Sequence, residues 1–167
     1  VMVTNHWVWN SPFFGAVIRY VDFYYVGDGY EQVVESMRKK VEEGYSIVIF
    51  PEGTRTYNGV MKRFHKGAFY LADALQLDIL PVILYGNGKI IAKAQPFNIR
   101  KGILLAEIMP RISYGDSSFG VTYQERTKRI SAFMKQEYAR ICQAKNTPDN
   151  PAFYEALIQN YIYKGPV

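Results

Sequence analysis

The chain has 167 residues, 49% of them hydrophobic and 16% aromatic, which is enough to bury a core and argues against a disordered chain. Its formal net charge of +5 favours acidic partners such as phosphates, an anionic membrane or an acidic carrier protein, but the basic residues are scattered in short clusters such as Arg38-Lys39-Lys40, unlike a nucleic-acid-binding stripe. The single cysteine, Cys142, excludes an internal disulfide,.

In chain order, VMVTN (1–5) reads as a strand feeding a loop. Ser11 and Pro12 supply an N-cap and a first helical residue for SPFFGAVIRY,. DFYYV is a short aromatic strand, and DGYE (28–31) resembles a capping box before QVVESMRKKVEEG,. Val33, Val34, Met37 and Val41 then share one helical face, with Gly44 as the stop,. SIVIF (46–50) is a continuous apolar run, which predicts a strand covered on both faces,. A loop turning at Asn58-Gly59 follows,. KGAFYLADALQL predicts a helix, ILPVILYG another buried strand, and KIIAK and ILLAEIMPRIS further strands. Thr122 and Glu125 form a second capping box, opening a long helix with Ile130, Phe133, Tyr138 and Ile141 inward,. A last helix is expected over about 151–163, with Phe153, Tyr154, Tyr161 and Tyr163 as a packing face. Strands alternating with helices predict an α/β fold with a mixed, largely parallel sheet flanked by helices. The whole of 1–167 is expected to form a single domain, with 145–167 as its helical extension. No apolar stretch reaches the ~18 residues needed to span a bilayer. The chain opens in mid-strand without a basic leader,, so a piece of a longer protein is expected.

Two stretches carry residues suited to chemistry. FPEGTR (50–55) ends an apolar run in a glycine-containing loop, where α/β proteins place ligands,. Gly53 permits close backbone approach, and the Arg55 fork suits a phosphate. An ordinary strand exit with Glu52 and Arg55 solvated is the plainer reading. TNHWVWNS contains His6, one of only two histidines, which can act as a general base when a neighbour fixes its tautomer. A histidine packed between Trp7 and Trp9 is the plainer alternative. His65, beside Lys66, offers a further anion contact, with a solvated loop histidine as the plainer reading. YGNGKI lacks the first glycine and the hydroxyl residue of a phosphate loop and reads as a turn,.

Taken together, TNH, an amphipathic helix, IVIFPEGTR, KRFHKGAFYLA and ILPVIL resemble the glycerolipid acyltransferase family, the PlsC-like lysophosphatidate acyltransferases. The Phe-Pro-Glu-Gly-Thr-Arg block is intact at 50–55, the proline-containing strand block is matched by Ile79-Leu80-Pro81-Val82, and the likeness covers about 1–115. Two blocks depart. Ser11 stands where the family has the Asp of Asn-His-x4-Asp, and YVDFYYVGD lacks the arginine of the second block.

The resemblance implies an acyltransferase-like sandwich that moves a fatty acyl group from acyl-CoA or acyl-carrier protein to the hydroxyl of a lyso-type lipid. His6 would deprotonate the acceptor, with Ser11 in its partner's place. Glu52, Gly53, Thr54 and Arg55 would hold the acceptor, with Lys66 as an additional cation. Neither a metal nor another cofactor is expected. Nucleic acid is not an expected partner. The place of action would be the cytoplasmic face of a membrane, in phospholipid biosynthesis. The alternative is a lipid-binding domain that keeps the fold but is catalytically impaired by the loss of Asp.

Overall fold

The computed structural model describes residues 1–4, 18, 23–25, 30–56, 59–90 and 99–145. Strand β1 (Met2–Thr4) pairs in parallel with β2 (Phe23–Tyr25), Met2 lying opposite Phe23 and Thr4 opposite Tyr25. On β1 the predicted 46–50 strand adds a parallel bridge, Val48 to Met2, with Val48 N–H donating to the Val1 carbonyl at 2.8 Å. A second ladder joins β3 (Val82–Tyr85) to β4 (Leu105–Ile108) antiparallel, with Val82 opposite Ile108. Ile79 and Ile112 extend it by a reciprocal bridge. Both pairing senses of a mixed sheet are therefore present, but parallel pairing does not predominate among the described residues.

The helices follow the sequence closely. α1 (Tyr30–Glu42) buries Val33 and Met37, with Val34 and Val41 partly covered. It ends at Gly44, whose φ of +89° suits glycine,. There Tyr45 N–H donates to the Lys40 carbonyl and Gly44 N–H to that of Val41, the two bonds of a Schellman cap,. α2 (Lys66–Ala74) presents Phe69 to one apolar cluster and Leu71 to another. After β3 comes a single turn, α3 (Asn87–Ile90).

A strand was expected over KIIAK. Lys89 and Ile90 instead belong to α3, because Gly86 turns the chain and Ile90 N–H donates back to the Gly86 carbonyl. Residues 91–93 lie outside the described ones.

A 3-10 turn (Ser117–Phe119) precedes α4 (Tyr123–Lys145). The predicted capping box opens α4: Glu125 Oε2 accepts from Val121 and Thr122 N–H, and Thr122 Oγ1 accepts from Glu125 N–H,. Buried Arg126 fastens the preceding loop by donating to the carbonyls of Ser113 and Tyr114.

Two clusters form the core. Phe64, Phe69, Ile83, Met109, Ile112, Ile130, Met134 and Ile141 join α2, α4 and the β3–β4 ladder. Val33, Met37, Leu71 and Leu75 join α1 to α2, with Val1, Val3, Ile47 and Ile49 packed against them.

This one-sided packing corrects a second expectation. SIVIF was predicted to be covered on both faces and ILPVILYG to be a buried strand, yet alternate residues Val48, Phe50, Leu80 and Val82 are exposed. Opposite Val82, Ile108 is 66% exposed. The described helices pack on the face that carries Ile47, Ile49, Ile79 and Ile83.

Candidate active site

The parallel register sets the site's edge. Met2 lies beside both Phe23 and Val48, so β1, β2 and the 47–50 segment all end at the same side of the sheet. From that edge Pro51–Arg55 departs. His6 follows Thr4 by two residues; it and Ser11 lie outside the described residues, as do Asp28 of the predicted capping box and the 151–163 helix. Ile18, within the first predicted helix, is helical and buried.

The Glu52–Arg55 loop is folded back onto the start of α2. His65 N–H donates to the Pro51 carbonyl at 2.7 Å, and Gly53 N–H to that of Phe50 at 3.0 Å. Lys62 N–H donates to Glu52 Oε2 at 2.6 Å. One carboxylate oxygen of Glu52 thus closes the loop internally, a role that residue type alone does not reveal.

Gly53 has φ +65°, and a Cβ there would stand 3.1 Å from Cδ2 and 3.2 Å from Nε2 of His65. The backbone angle therefore favours glycine, and a side chain there would also have to displace the exposed imidazole slightly,. Thr54 Oγ1 donates to the Arg55 carbonyl at 3.3 Å, and both side chains are exposed.

Lys66 is the first residue of α2 and is exposed, while His65 at the N-cap supplies no side-chain acceptor to the helix. A helix start carries unsatisfied N–H groups and a partial positive charge. Glu52, Gly53, Thr54, Arg55 and Lys66 are thus brought into one neighbourhood, where an arginine, a lysine and backbone donors favour an anion.

Two residues named from sequence take part in ways that the sequence did not indicate. His65 was read as a possible anion contact, not as the side chain packed on Gly53. Tyr138 was placed inward on α4, but its hydroxyl reaches back 79 residues to donate to the Gly59 carbonyl at 2.8 Å. No local sequence signal marks that partner. Among the described residues there is no cluster of three or more His, Cys, Asp or Glu able to hold a metal. None of their helices is long and apolar enough to cross a membrane.

The fold is that of a PlsC-type α/β protein. The crystal structure of the 1-acyl-sn-glycerophosphate (LPA) acyltransferase PlsC from Thermotoga maritima superposes with a TM-score of 0.65, over 84% of this chain and 56% of that one, at 21% identity. The sequence model of the Acyltransferase family matches residues 1–85, just over half of the chain, and the chain belongs to that family.

Among relatives, it is 29% identical over 98 residues to the mouse (Mus musculus) 1-acyl-sn-glycerol-3-phosphate acyltransferase alpha, covering 59% of this chain and 34% of that protein. It is 43% identical over 51 residues to the chloroplastic enzyme BAT2 of Brassica napus, covering 30% and 15%. To the human (Homo sapiens) beta enzyme it is 49% identical over 45 residues, covering 27% and 16%. The chain thus spans about a third or less of these proteins.

Proposed function

We propose that the chain is the catalytic domain of an O-acyltransferase acting on a lyso-type phospholipid, with 1-acyl-glycerol-3-phosphate as the first acceptor to test. The observation that carries this reading is the Glu52–Arg55 loop tied onto the N-terminus of α2, beside the edge where β1 ends. In this reading His6, two residues past β1, meets the loop and takes the proton of the acceptor hydroxyl. The alkoxide oxygen attacks the thioester carbonyl, the C–S bond breaks, and the thiolate leaves to be protonated. Arg55, the start of α2 and Lys66 hold the acidic headgroup. Glu52 shapes the loop from within, while Ser11 orients the His6 ring through its hydroxyl without supplying a charge. Acyl-CoA or acyl-carrier protein is the donor, and no metal is required.

The reading also treats 1–167 as one domain, its sheet mixed and largely parallel, with 145–167 as a helical extension. It places the protein peripherally on the cytoplasmic face of a membrane. The exposed apolar row of Leu80, Val82 and Ile108, on a chain of net charge +5, supports contact with anionic lipid,. The activity shared by these relatives, 1-acyl-sn-glycerol-3-phosphate acyl transfer, supports the choice of acceptor. The competing reading, a catalytically impaired lipid-binding domain, is favoured by one observation, Ser11 in the place of Asp.

Thioester consumption with a panel of lysolipids decides between them. Wild type should turn over, His6→Ala should abolish turnover, and Ser11→Asp should raise it. Arg55→Ala should weaken acceptor binding by about 1.5–3 kcal/mol, as for a lost bond to a charged group. Turnover that survives His6→Ala would end the mechanism. Silence in wild type with activity in Ser11→Asp would establish the lapsed enzyme. Flotation with phosphatidylglycerol vesicles tests the membrane contact, and a chain that stays with the soluble fraction refutes it.

A further inference from the structure

We infer that Tyr138, on α4 and beyond the part of the chain that the family model covers, is a positioning residue for the Glu52–Arg55 loop: its hydroxyl fixes the far turn of that loop at Gly59, and so sets how well the acceptor is held. The inference rests on the acceptor-binding role proposed above for that loop.

The loop is fastened at its base by the Pro51–His65 backbone bond and by the Glu52–Lys62 bond. At its far turn Gly59 has φ +70°, and its carbonyl accepts the Tyr138 hydroxyl at 2.8 Å. Both ends of the tie are set in place. Tyr138 packs against the main core cluster between buried Met134 and Ile141 of the same helix, and its ring lies 6.4 Å from that of Tyr85 on β3. Glu52 lies close enough to influence the Tyr138 phenol electrostatically. The phenol therefore stands over the loop that carries the proposed anion-binding residues, anchored on the face of α4 that packs into the main cluster. A hydroxyl held by a packed helix restricts the turn at low entropic cost, because the ring has already lost its freedom to the core.

A purely structural phenol and a positioning phenol make different predictions for Tyr138→Phe, which keeps the ring and removes only the hydroxyl. The loop contains tryptic sites at Arg55, Lys62 and Arg63, while Lys101 and Arg111 lie elsewhere on the surface. In the full chain under native conditions, Tyr138→Phe should speed cleavage at the loop sites by between about twofold and tenfold, the range expected for one net hydrogen bond. Cleavage at Lys101 and Arg111 should be unchanged. Arg140→Ala, on the same helix but paired with Glu107 and Glu137, should leave loop protection as in wild type. Unchanged loop cleavage, or an equal rise at every site, overturns the inference.

The second readout is acyl transfer from oleoyl-CoA to 1-oleoyl-lysophosphatidate. Tyr138→Phe should raise the acceptor KM by a similar factor, with kcat and the donor KM within about twofold of wild type. A fall in kcat at constant acceptor KM also overturns it. If wild type shows no transfer, the proposed function fails, and the proteolysis pattern still decides whether Tyr138 holds the loop.

Discussion

Gly53 meets two demands at one position: a backbone angle of +65° and the imidazole of His65 against the place a side chain would occupy. Gly53→Ala should therefore cost about 1–2 kcal/mol in urea denaturation, the penalty of placing a side chain in the left-handed region, plus the displacement of His65. Adding His65→Ala should recover only the second part. Full recovery in the double variant would show that the angle costs nothing. Tyr138 offers a test in pH. Burial above all, then Cys142, Tyr85 and Glu52 nearby, push its phenol from 10.0 up to about 12. The folded protein holds this proton more tightly than the unfolded chain does. The associated stability is complete below about pH 10 and is lost as pH rises towards 12,. Tyr138→Phe should flatten that part of the stability–pH curve, as read by denaturation midpoints between those limits. The loop was legible as a candidate site from its residue types: a proline, a carboxylate, a glycine and an arginine directly after an apolar run. Its fastenings were not, because Lys62 contributes a backbone N–H that every residue but proline has, and Tyr138 acts from 79 residues away.

Among the elements, α1 and α4 were readable because apolar spacing and capping residues agree with each other. For α4 this agreement identifies what holds it. Ile130, 1% exposed in the main cluster, should cost about 2–5 kcal/mol on replacement by alanine. Arg140 makes two ion pairs, to Glu107 and Glu137, yet is more than half exposed, so Arg140→Ala should cost at most about 1 kcal/mol. Thermal or chemical denaturation ranks the two, and a larger loss at Arg140 would contradict the packing argument. The strands were less legible. A continuous apolar run states that a segment is hydrophobic but not how many of its faces meet a helix, and Val48, Phe50, Leu80 and Val82 face away from the described ones. At Lys89 and Ile90 the strand expected over KIIAK gives way to a helical turn, because the β-branched pattern outweighed the turn that Gly86 imposes just upstream.

At the scale of the whole molecule, α2 is the shared wall between two clusters, with Phe69 on one side and Leu71 and Leu75 on the other. Met37 and Ile130 belong to different clusters and share no cluster partner. Met37→Ala and Ile130→Ala should therefore add to within about 0.5 kcal/mol when combined. A larger coupling would mean that α2 transmits strain between them. The sequence pattern supplied the alternation of strands and helices and hence the α/β class. It predicted a mixed, largely parallel sheet but not which strands pair, nor the division of the core into two clusters, and these are settled by contacts between residues distant in sequence. One such contact bears on how the protein is made. The hydroxyl that ties Gly59 belongs to a residue 79 positions later. At a synthesis rate of roughly 5–20 residues per second, it leaves the ribosome some 4–16 seconds after the turn it secures. For that interval the nascent chain carries the Glu52–Arg55 loop without this last fastening, so the loop acquires it only once α4 has been synthesised and has docked.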